Sequence, residues 1–356
     1  MNTNEFPRLL ERHSVSTKAN VLEAMKKINS LSGESMTLFA LDPEGILRGT
    51  VTDGDIRRAL VERGSLDLTV EQVMHTHFLV AHPGDDLSEI MAKGRRRHID
   101  LLPLVEEGRI VELLDLRKIK SFIPVEAVLM AGGRGERLRP LTDTIPKPLL
   151  KVGEKPIIEY NLEELEACGV KRIHVTVNYL ADMIEEYFRH RSGMAKIECV
   201  REPKRLGTIG SMALIDDFRS EDILLMNSDL LMDIDFQAIY LEHRHRDADI
   251  TMAAVPYNVS VPFAIMKMKN DCVETIEEKP TYNYFANGGV YMIKRTLIER
   301  IPREEYMDAP DFISSVIEAG GKVCCHHLEG SWIDIGSPDD YRLACELMAR
   351  RNKSII

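Results

Sequence analysis

The sequence predicts an α/β protein in two parts: a small duplicated βαββα unit over residues 1–122, then a mainly parallel sheet with helices on both faces over 123–356. Three observations predict it. The 356 residues exceed what one ordinary core organises, so two domains are the default. A helix followed by a strand pair occurs twice in the first third. Beyond Pro124, apolar β-branched strands alternate with amphipathic helices, the pattern of repeated βαβ units.

In the first part, NVLEAMKKINS (20–30) and DLSEIMAKGRR (86–96) carry apolar residues at helical spacing. TLFALDPEGILRGTV follows the first, with a turn at Asp42-Pro43-Glu44-Gly45. DLLPLVEEGRIVELL follows the second, with a turn at Glu106-Glu107-Gly108. Met91 lies 66 residues after Met25, and Glu112 lies 63 after Gly49, a nearly constant offset that signals duplication.

A boundary falls at Ser121-Phe122-Ile123-Pro124. Beyond it VEAVLMA reads as a strand, IIEYNLEELEACG as a helix stopped by Gly169, and KRIHVTVNY as a strand. ADMIEEYFRHR reads as a helix, KIECVRE as a strand, SMALIDDF as a helix and ILLMNSD as a strand. Ligands of such a sheet belong at the carboxyl ends of its strands.

Bulk properties exclude several classes. With 44% apolar and 29% charged residues the chain has a globular composition. A net charge of −11 argues against a general nucleic-acid binder. MNTNEFPRLLERHS lacks the apolar core of a signal peptide, and no apolar run approaches membrane-spanning length, so a cytoplasmic location without a membrane partner is expected. The 6 cysteines show no CxxC spacing and read as reduced thiols, with Cys324-Cys325 in an expected buried strand. His243, His245, His326 and His327 have no ligand spacing and are expected at the surface or a strand edge.

The first strand runs into LMAGGRGERLRPLTDTIPKPLL (129–150), where glycines permit close backbone approach and Arg and Lys suit a polyphosphate. It lacks both the G-x-G-x-x-G spacing of a dinucleotide loop and the G-K-[ST] ending of a P-loop.

The whole string G-G-x-G-x-R-L-x-P-L-T-x-x-x-P-K-P-L-L resembles the signature of the sugar-1-phosphate nucleotidyltransferases, which implies a Rossmann-like domain. In that reaction a sugar-phosphate oxygen, already anionic at neutral pH, attacks the α-phosphorus of a nucleoside triphosphate. The obstacle is repulsion between two polyanions, which cations and backbone N–H groups relieve. The resemblance implies that Arg137 and Lys147 contact the triphosphate, with Lys147 stiffened by Pro146 and Pro148. It implies that Ala131, Gly132 and Gly133 approach the nucleotide. Leu206-Gly207-Thr208 with Gly210 matches the L-G-T-x-G segment near base and ribose. Asp229 and Asp334 match the pair that holds one Mg²⁺, an ion needing few protein oxygens when phosphates supply the rest. Glu278 and Lys279 match the residues that meet sugar hydroxyls and sugar phosphate, and Asn287 and Gly288 the strand lining the sugar pocket. Five positions depart from the pattern: Ala264 and Ser228 stand where Gly is usual, and Ile209, Ser211 and Gly288 where Ala is usual.

Residues 8–122 resemble a pair of CBS motifs. GTVTDGDIRR supplies Thr52 and Asp55, which match the residues that hold an adenosine ribose, with Arg57 and Arg58 behind. In VELLDLRKIK, Glu112, Asp115 and Lys118 replace the matching glycine, threonine and aspartate, so one of two nucleotide sites keeps its anchors. Arg95-Arg96-Arg97 reads either as a phosphate neutraliser or as a solvated helix end. The resemblance implies AMP, ADP or ATP as ligand, a regulatory role and a symmetric homo-oligomer.

Both motifs together resemble the CBS-headed guanylyltransferases of nonulosonic (legionaminic) acid pathways, which use GTP and an amino-hexose 1-phosphate such as glucosamine 1-phosphate. The alternatives are a mannose-1-phosphate guanylyltransferase, a thymidylyl- or uridylyltransferase, an acyl- or choline-phosphate nucleotidyltransferase, and an adenylate sensor with an inactive transferase half.

Overall fold

A computed structural model describes residues 5–353, apart from Ser32, Gly33 and Leu66. The chain divides into two compact units, one running to Phe122 with the short stretches Ala167–Gly169 and Gly193–Lys196, the other holding the remainder.

The first unit begins with helix α1 (Glu5–His13) and strand β1 (Ser14–Ser16), followed by α2 (Val21–Ser30), whose N-cap Asn20 accepts from Glu23 N at 2.8 Å. β2 (Thr37–Leu41), β3 (Leu47–Thr52) and α3 (Asp53–Arg63) complete the first copy. β1 runs parallel to β2, pairing Val15 with Ala40, and β2 runs antiparallel to β3. The second copy opens with the short α4 (Val70–Val73) and continues through α5 (Leu87–Arg96), β4 (Leu101–Glu106) and β5 (Arg109–Asp115). Here Ala81 makes a parallel bridge to Leu104, so it takes the place that β1 has in the first copy. After β5 the chain makes one turn, with Lys118 N and Ile119 N donating to Asp115 O, where a closing helix was expected. Pro124 follows too soon for a helix to form. The copies share a core in which Phe39 packs with Leu101, Val105, Ile110 and Leu113.

The second unit comprises β6 (Glu126–Met130), two-residue strands β7 (Lys151–Val152) and β8 (Lys155–Pro156), α6 (Ile157–Ala167) and β9 (Arg172–Val177). It continues through α7 (Ala181–His190), β10 (Lys196–Arg201), β11 (Asp222–Asn227), β12 (Leu230–Met232), α8 (Phe236–His245) and β13 (Ile250–Ser260). β14 (Ile265–Lys269), β15 (Cys272–Glu277), β16 (Thr281–Lys294), α9 (Ala309–Glu318), β17 (Val323–His327), β18 (Trp332–Asp334) and α10 (Pro338–Lys353) follow.

The main sheet has the order β10-β9-β6-β11-β16-β13-β17. β9, β6 and β11 are parallel, β16 is antiparallel to β11 and to β13, and β17 is parallel to β13. The expected mainly parallel sheet is present, with β16 reversed. Val128, Ile223, Leu225 and Ile250 on one face pack with Met212 and Phe312. On the other face lies α8, whose His243 Nδ1 is 2.9 Å from Thr251 Oγ1.

Three local expectations are corrected. SMALIDDF forms only a five-residue 3₁₀ turn, Gly210–Leu214, not an α-helix. Cys325 is exposed and Cys324 half-buried, because β17 is the edge of the sheet. His243 is buried, since it continues the inward stripe of Phe236 and Ile239 on α8.

Candidate active site

The glycine loop leaves the carboxyl end of β6. Ala131 N donates to Thr176 O on the adjacent β9 (2.9 Å), which anchors its first residue. A Cβ on Gly132 would lie 2.8 Å from Glu202 Oε1, so the missing side chain is what lets that carboxylate reach the loop. Gly135, at φ 62°, folds the loop back; a Cβ there would lie 3.2 Å from Lys147 Cβ. Gly133 has open space around it.

Asp229 follows β11. β12 and β18 are only three residues each, and they pair antiparallel with Leu230 opposite Asp334. That pairing brings together two carboxylates remote in sequence, and Ile335 N donates to Asp229 O (3.2 Å) to close it. Lys147 Nζ is ion-paired with Asp229 Oδ2 and lies 3.9 Å from Asp334 Oδ1. The Arg137 guanidinium is exposed and reaches the same turn, 3.1 Å from where a Gly336 Cβ would stand. Burial raises the pKa of Asp334 and the charge of Asp229 raises it further, while Lys147 and Arg137 oppose the shift. Asp229 Oδ1 is sealed from solvent and has no hydrogen-bond partner among the described residues.

Two residues that sequence reading passed over shape this site. Asn161 on α6 is buried and donates through Nδ2 to Ser228 O (3.2 Å) and Leu230 O (3.0 Å), gripping the chain on both sides of Asp229. Its signal was an amide in the apolar stripe Ile157, Ile158, Leu162, Leu165. Glu202, at the end of β10, is also buried; Leu206 N donates to its Oε2 (3.2 Å), and its Oε1 faces Gly132. Burial raises its pKa against the Leu206 hydrogen bond and Arg205. An acid following a strand that already reads KIECVR was its signal. Ser228, the departure from glycine, donates from Oγ to Met130 O (2.6 Å) and ties β11 to β6.

Leu206 is fully buried and its carbonyl accepts from Met307 N (2.9 Å). Gly207, at φ 82°, packs its Cα against Met307 O. Thr208 donates through N (3.0 Å) and Oγ1 (3.2 Å) to Asp308 Oδ1, and its Oγ1 accepts from Ala309 N (2.7 Å). Its hydroxyl therefore serves the start of α9 rather than standing free for a ligand.

On β16, Asn287 Nδ2 donates to Tyr291 Oη (2.7 Å), Asn287 Oδ1 accepts from Gly289 N (3.0 Å), and Trp332 Nε1 donates to Gly288 O (2.9 Å). The last bond ties β16 to the strand bearing Asp334. Ala264, Glu278 and Lys279 are exposed at the base of the β14–β15 hairpin, where Ile265 pairs with Glu277. Lys279 adopts φ 44°, and neither it nor Glu278 makes a side-chain hydrogen bond or ion pair among the described residues. The structure thus gathers Arg137, Lys147, Asp229 and Asp334, and shows no side-chain hydrogen bond or ion pair between these and Glu278 or Lys279 among the described residues.

In the first unit, Thr52 and Asp55 satisfy each other. Asp55 Oδ2 accepts from Thr52 N (2.9 Å) and Thr52 Oγ1 (2.6 Å), and Asp55 N donates to Thr52 Oγ1 (3.3 Å), a capping box for α3. A cavity of about 420 Å³ lies beside β1 and α2, lined by Ser14, Ser16, Glu23, Lys27 and Asp42; Thr52 and Asp55 are not among its walls. Arg95 donates to Ile119 O, whereas Arg96 and Arg97 are exposed at the end of α5.

Comparison with known proteins places both parts of the chain among known families. Residues 126–351 match the family model for nucleotidyl transferases, and residues 70–125 match that for the CBS domain. Similar curated proteins include a probable mannose-1-phosphate guanylyltransferase 1 of Oryza sativa subsp. japonica, 28% identical over 61% of this chain and 63% of that protein. The mannose-1-phosphate guanyltransferase of Schizosaccharomyces pombe is 30% identical over 61% of this chain and 62% of its own. A UTP–glucose-1-phosphate uridylyltransferase of Synechocystis sp. is 28% identical over 65% of each. The chain therefore spans less than two thirds of the length of these relatives. Among solved structures, HddC from Yersinia pseudotuberculosis is 26% identical, with a TM-score of 0.50 over 63% of this chain and 99% of that one. No helix among the described residues is long and apolar enough to cross a membrane. A family model that covers well over half of the chain and contains the whole glycine-loop and carboxylate constellation assigns this protein to the nucleotidyl transferase family.

Proposed function

We propose that this chain makes a sugar nucleotide from GTP and a hexose 1-phosphate, with an amino sugar such as glucosamine 1-phosphate as acceptor. An oxygen of the sugar phosphate bonds to the α-phosphorus, the bond from that phosphorus to the oxygen bridging to the β-phosphate breaks, and pyrophosphate leaves with that oxygen. The observation that carries the reading is the convergence of Lys147, Asp229, Asp334 and Arg137 beside the glycine loop.

Each residue has a task that its position allows. The loop backbone at Gly132 and Gly133 approaches the nucleotide, and Arg137 and Lys147 offset phosphate charge. Asp229 and Asp334 would hold Mg²⁺: both are hard oxygen donors, and Asp229 Oδ1 is a buried acceptor still lacking a partner. When bound, the ion supplies further neutralisation of the phosphate oxygens. Lys279 and Glu278, exposed and without a side-chain partner among the described residues, are available to the sugar phosphate and its hydroxyls. The methyl group of Ala264 trims the space beside them.

Guanine is favoured by the chemistry of Glu202. A carboxylate at the loop accepts two N–H bonds from the N1–H and N2–H edge of guanine, whereas uracil and thymine offer one N–H between two carbonyls. Guanylyltransferase names among the relatives support the same choice. The front unit serves as a regulatory module for AMP, ADP or ATP in a symmetric cytoplasmic oligomer; its support is the CBS match, while Thr52 and Asp55 are already engaged with each other.

A matrix of four triphosphates against several hexose 1-phosphates, with Mg²⁺ and a pyrophosphate-release readout, tests the proposal. Turnover is expected with GTP above the others. Absence of turnover with every pair would assign the protein to adenylate sensing instead.

A further inference from the structure

The carboxylates of Asp229 and Asp334 share the ammonium of Lys147, which is ion-paired with the first and 3.9 Å from the second. The ammonium does not complete the site, because Asp229 Oδ1 remains sealed and without a partner. The lysine backbone sits between Pro146 and Pro148, with Pro148 buried, so its Cα has little freedom. Its four-carbon stem is flexible, and its Cβ lies against Gly135 of the glycine loop. Rotation of the stem can therefore move Nζ off the carboxylate pair and toward the glycine loop.

We propose that Lys147 is a built-in counter-ion: without nucleotide it holds the cation position between Asp229 and Asp334, and it exchanges there with a divalent cation, turning its ammonium onto the triphosphate. The proposal rests on the reading of Asp229 and Asp334 as a metal pair. It explains how two carboxylates can be kept together before a substrate arrives, and it makes metal and triphosphate binding mutually favourable. A cation entering the free protein has to displace Lys147, and a triphosphate that attracts Lys147 removes that competitor.

The test is a Mn²⁺ titration of the full-length, nucleotide-free protein, with free Mn²⁺ read by electron paramagnetic resonance. Lys147→Gln is expected to bind Mn²⁺ about tenfold tighter than the natural chain, because a competing positive charge is gone. Lys147→Arg, which keeps a cation, is expected to stay near the natural affinity. Without metal, Lys147→Gln is expected to melt below the natural chain, and Mn²⁺ to close the gap. Lys147→Ala carries the same expectations if the Gln variant does not fold. Equal or weaker Mn²⁺ binding by the uncharged variants overturns the exchange. If Asp229→Asn abolishes Mn²⁺ binding while Lys147→Gln brings no gain, the exchange alone falls. If tight binding survives Asp229→Asn, the metal pair falls with it.

Discussion

Asn161 grips the chain on either side of Asp229, donating to Ser228 O at 3.2 Å and to Leu230 O at 3.0 Å from a wholly buried position. The carboxylate itself makes no bond to Asn161 in this arrangement, so the amide acts on where Asp229 points. Replacing Asn161 with Leu leaves two buried carbonyls without their donor, at a cost of about 1–3 kcal/mol in stability. Turnover is expected to fall by roughly tenfold or more while KM for the triphosphate changes less. Thermal melting and steady-state kinetics check both; full turnover in the folded variant would show that Asn161 serves packing only.

Asp229→Asn and Asp334→Asn remove one negative oxygen each from the pair facing Lys147. Each is expected to reduce turnover by roughly two to four orders of magnitude. Near-natural rates in both variants, measured as pyrophosphate release, would rule out the pair as the centre of the reaction.

Glu202→Gln exchanges an acceptor-only group for an amide with one acceptor and one donor. The kcat/KM for GTP is expected to fall by about ten- to a hundredfold, and the preference to move toward UTP or dTTP. An unchanged ratio of GTP to UTP would place base reading elsewhere.

Lys279→Ala is expected to raise KM for the sugar phosphate by roughly tenfold or more and to leave KM for the triphosphate nearly unchanged. Lys279 is exposed and takes no part in the contacts that tie Lys147 to the carboxylates. Equal losses for both substrates would contradict a role confined to the sugar phosphate.

His174 gives the stability of the second unit a dependence on pH. It is buried near Glu126, with Nε2 3.2 Å from Oε2. Burial holds its pKa below the ordinary value and the charge of Arg172 adds to this, against its hydrogen bond to the Glu126 carboxylate. The folded protein thus binds this proton less readily than the unfolded chain. The stabilisation is complete above the unfolded value of about 6.5 and is lost as pH falls from there toward the folded value, by at most about 1.4 kcal/mol per pH unit. Melting temperatures at pH 7.5 and 5.5 should differ more in the natural chain than in His174→Gln; equal differences would contradict the assignment.

Local signals carried much of this molecule. The turn at Gly108 and the helix stop at Gly169 are each set by a few neighbouring residues, so they could be read directly. The same holds for the glycine loop and for the acid at the end of β11, because strand ends are marked by where apolar runs stop. Reading failed where burial depends on a partner element. His243 belongs to an inward stripe only once α8 lies on the sheet, and Cys325 is exposed only because β17 falls at its edge. The five-residue turn at Gly210–Leu214 is held by Met307, whose carbonyl accepts from Ile209 N and Gly210 N, a contact no local window contains.

The sequence by itself determined the strand–helix alternation from β6 to β11 apart from the Gly210–Leu214 turn, the duplication in the front unit, and the chemical identity of the cationic and acidic groups proposed to handle phosphate. Periodicity, glycines and charge are local properties of a chain. Tertiary structure alone decided that Leu230 pairs with Asp334, that Lys147 falls between two distant carboxylates, that Asn161 aims one of them, and that Glu202 meets Gly132. Those relations depend on long-range strand pairing and on the space left by missing side chains, and both exist only once the sheet has closed.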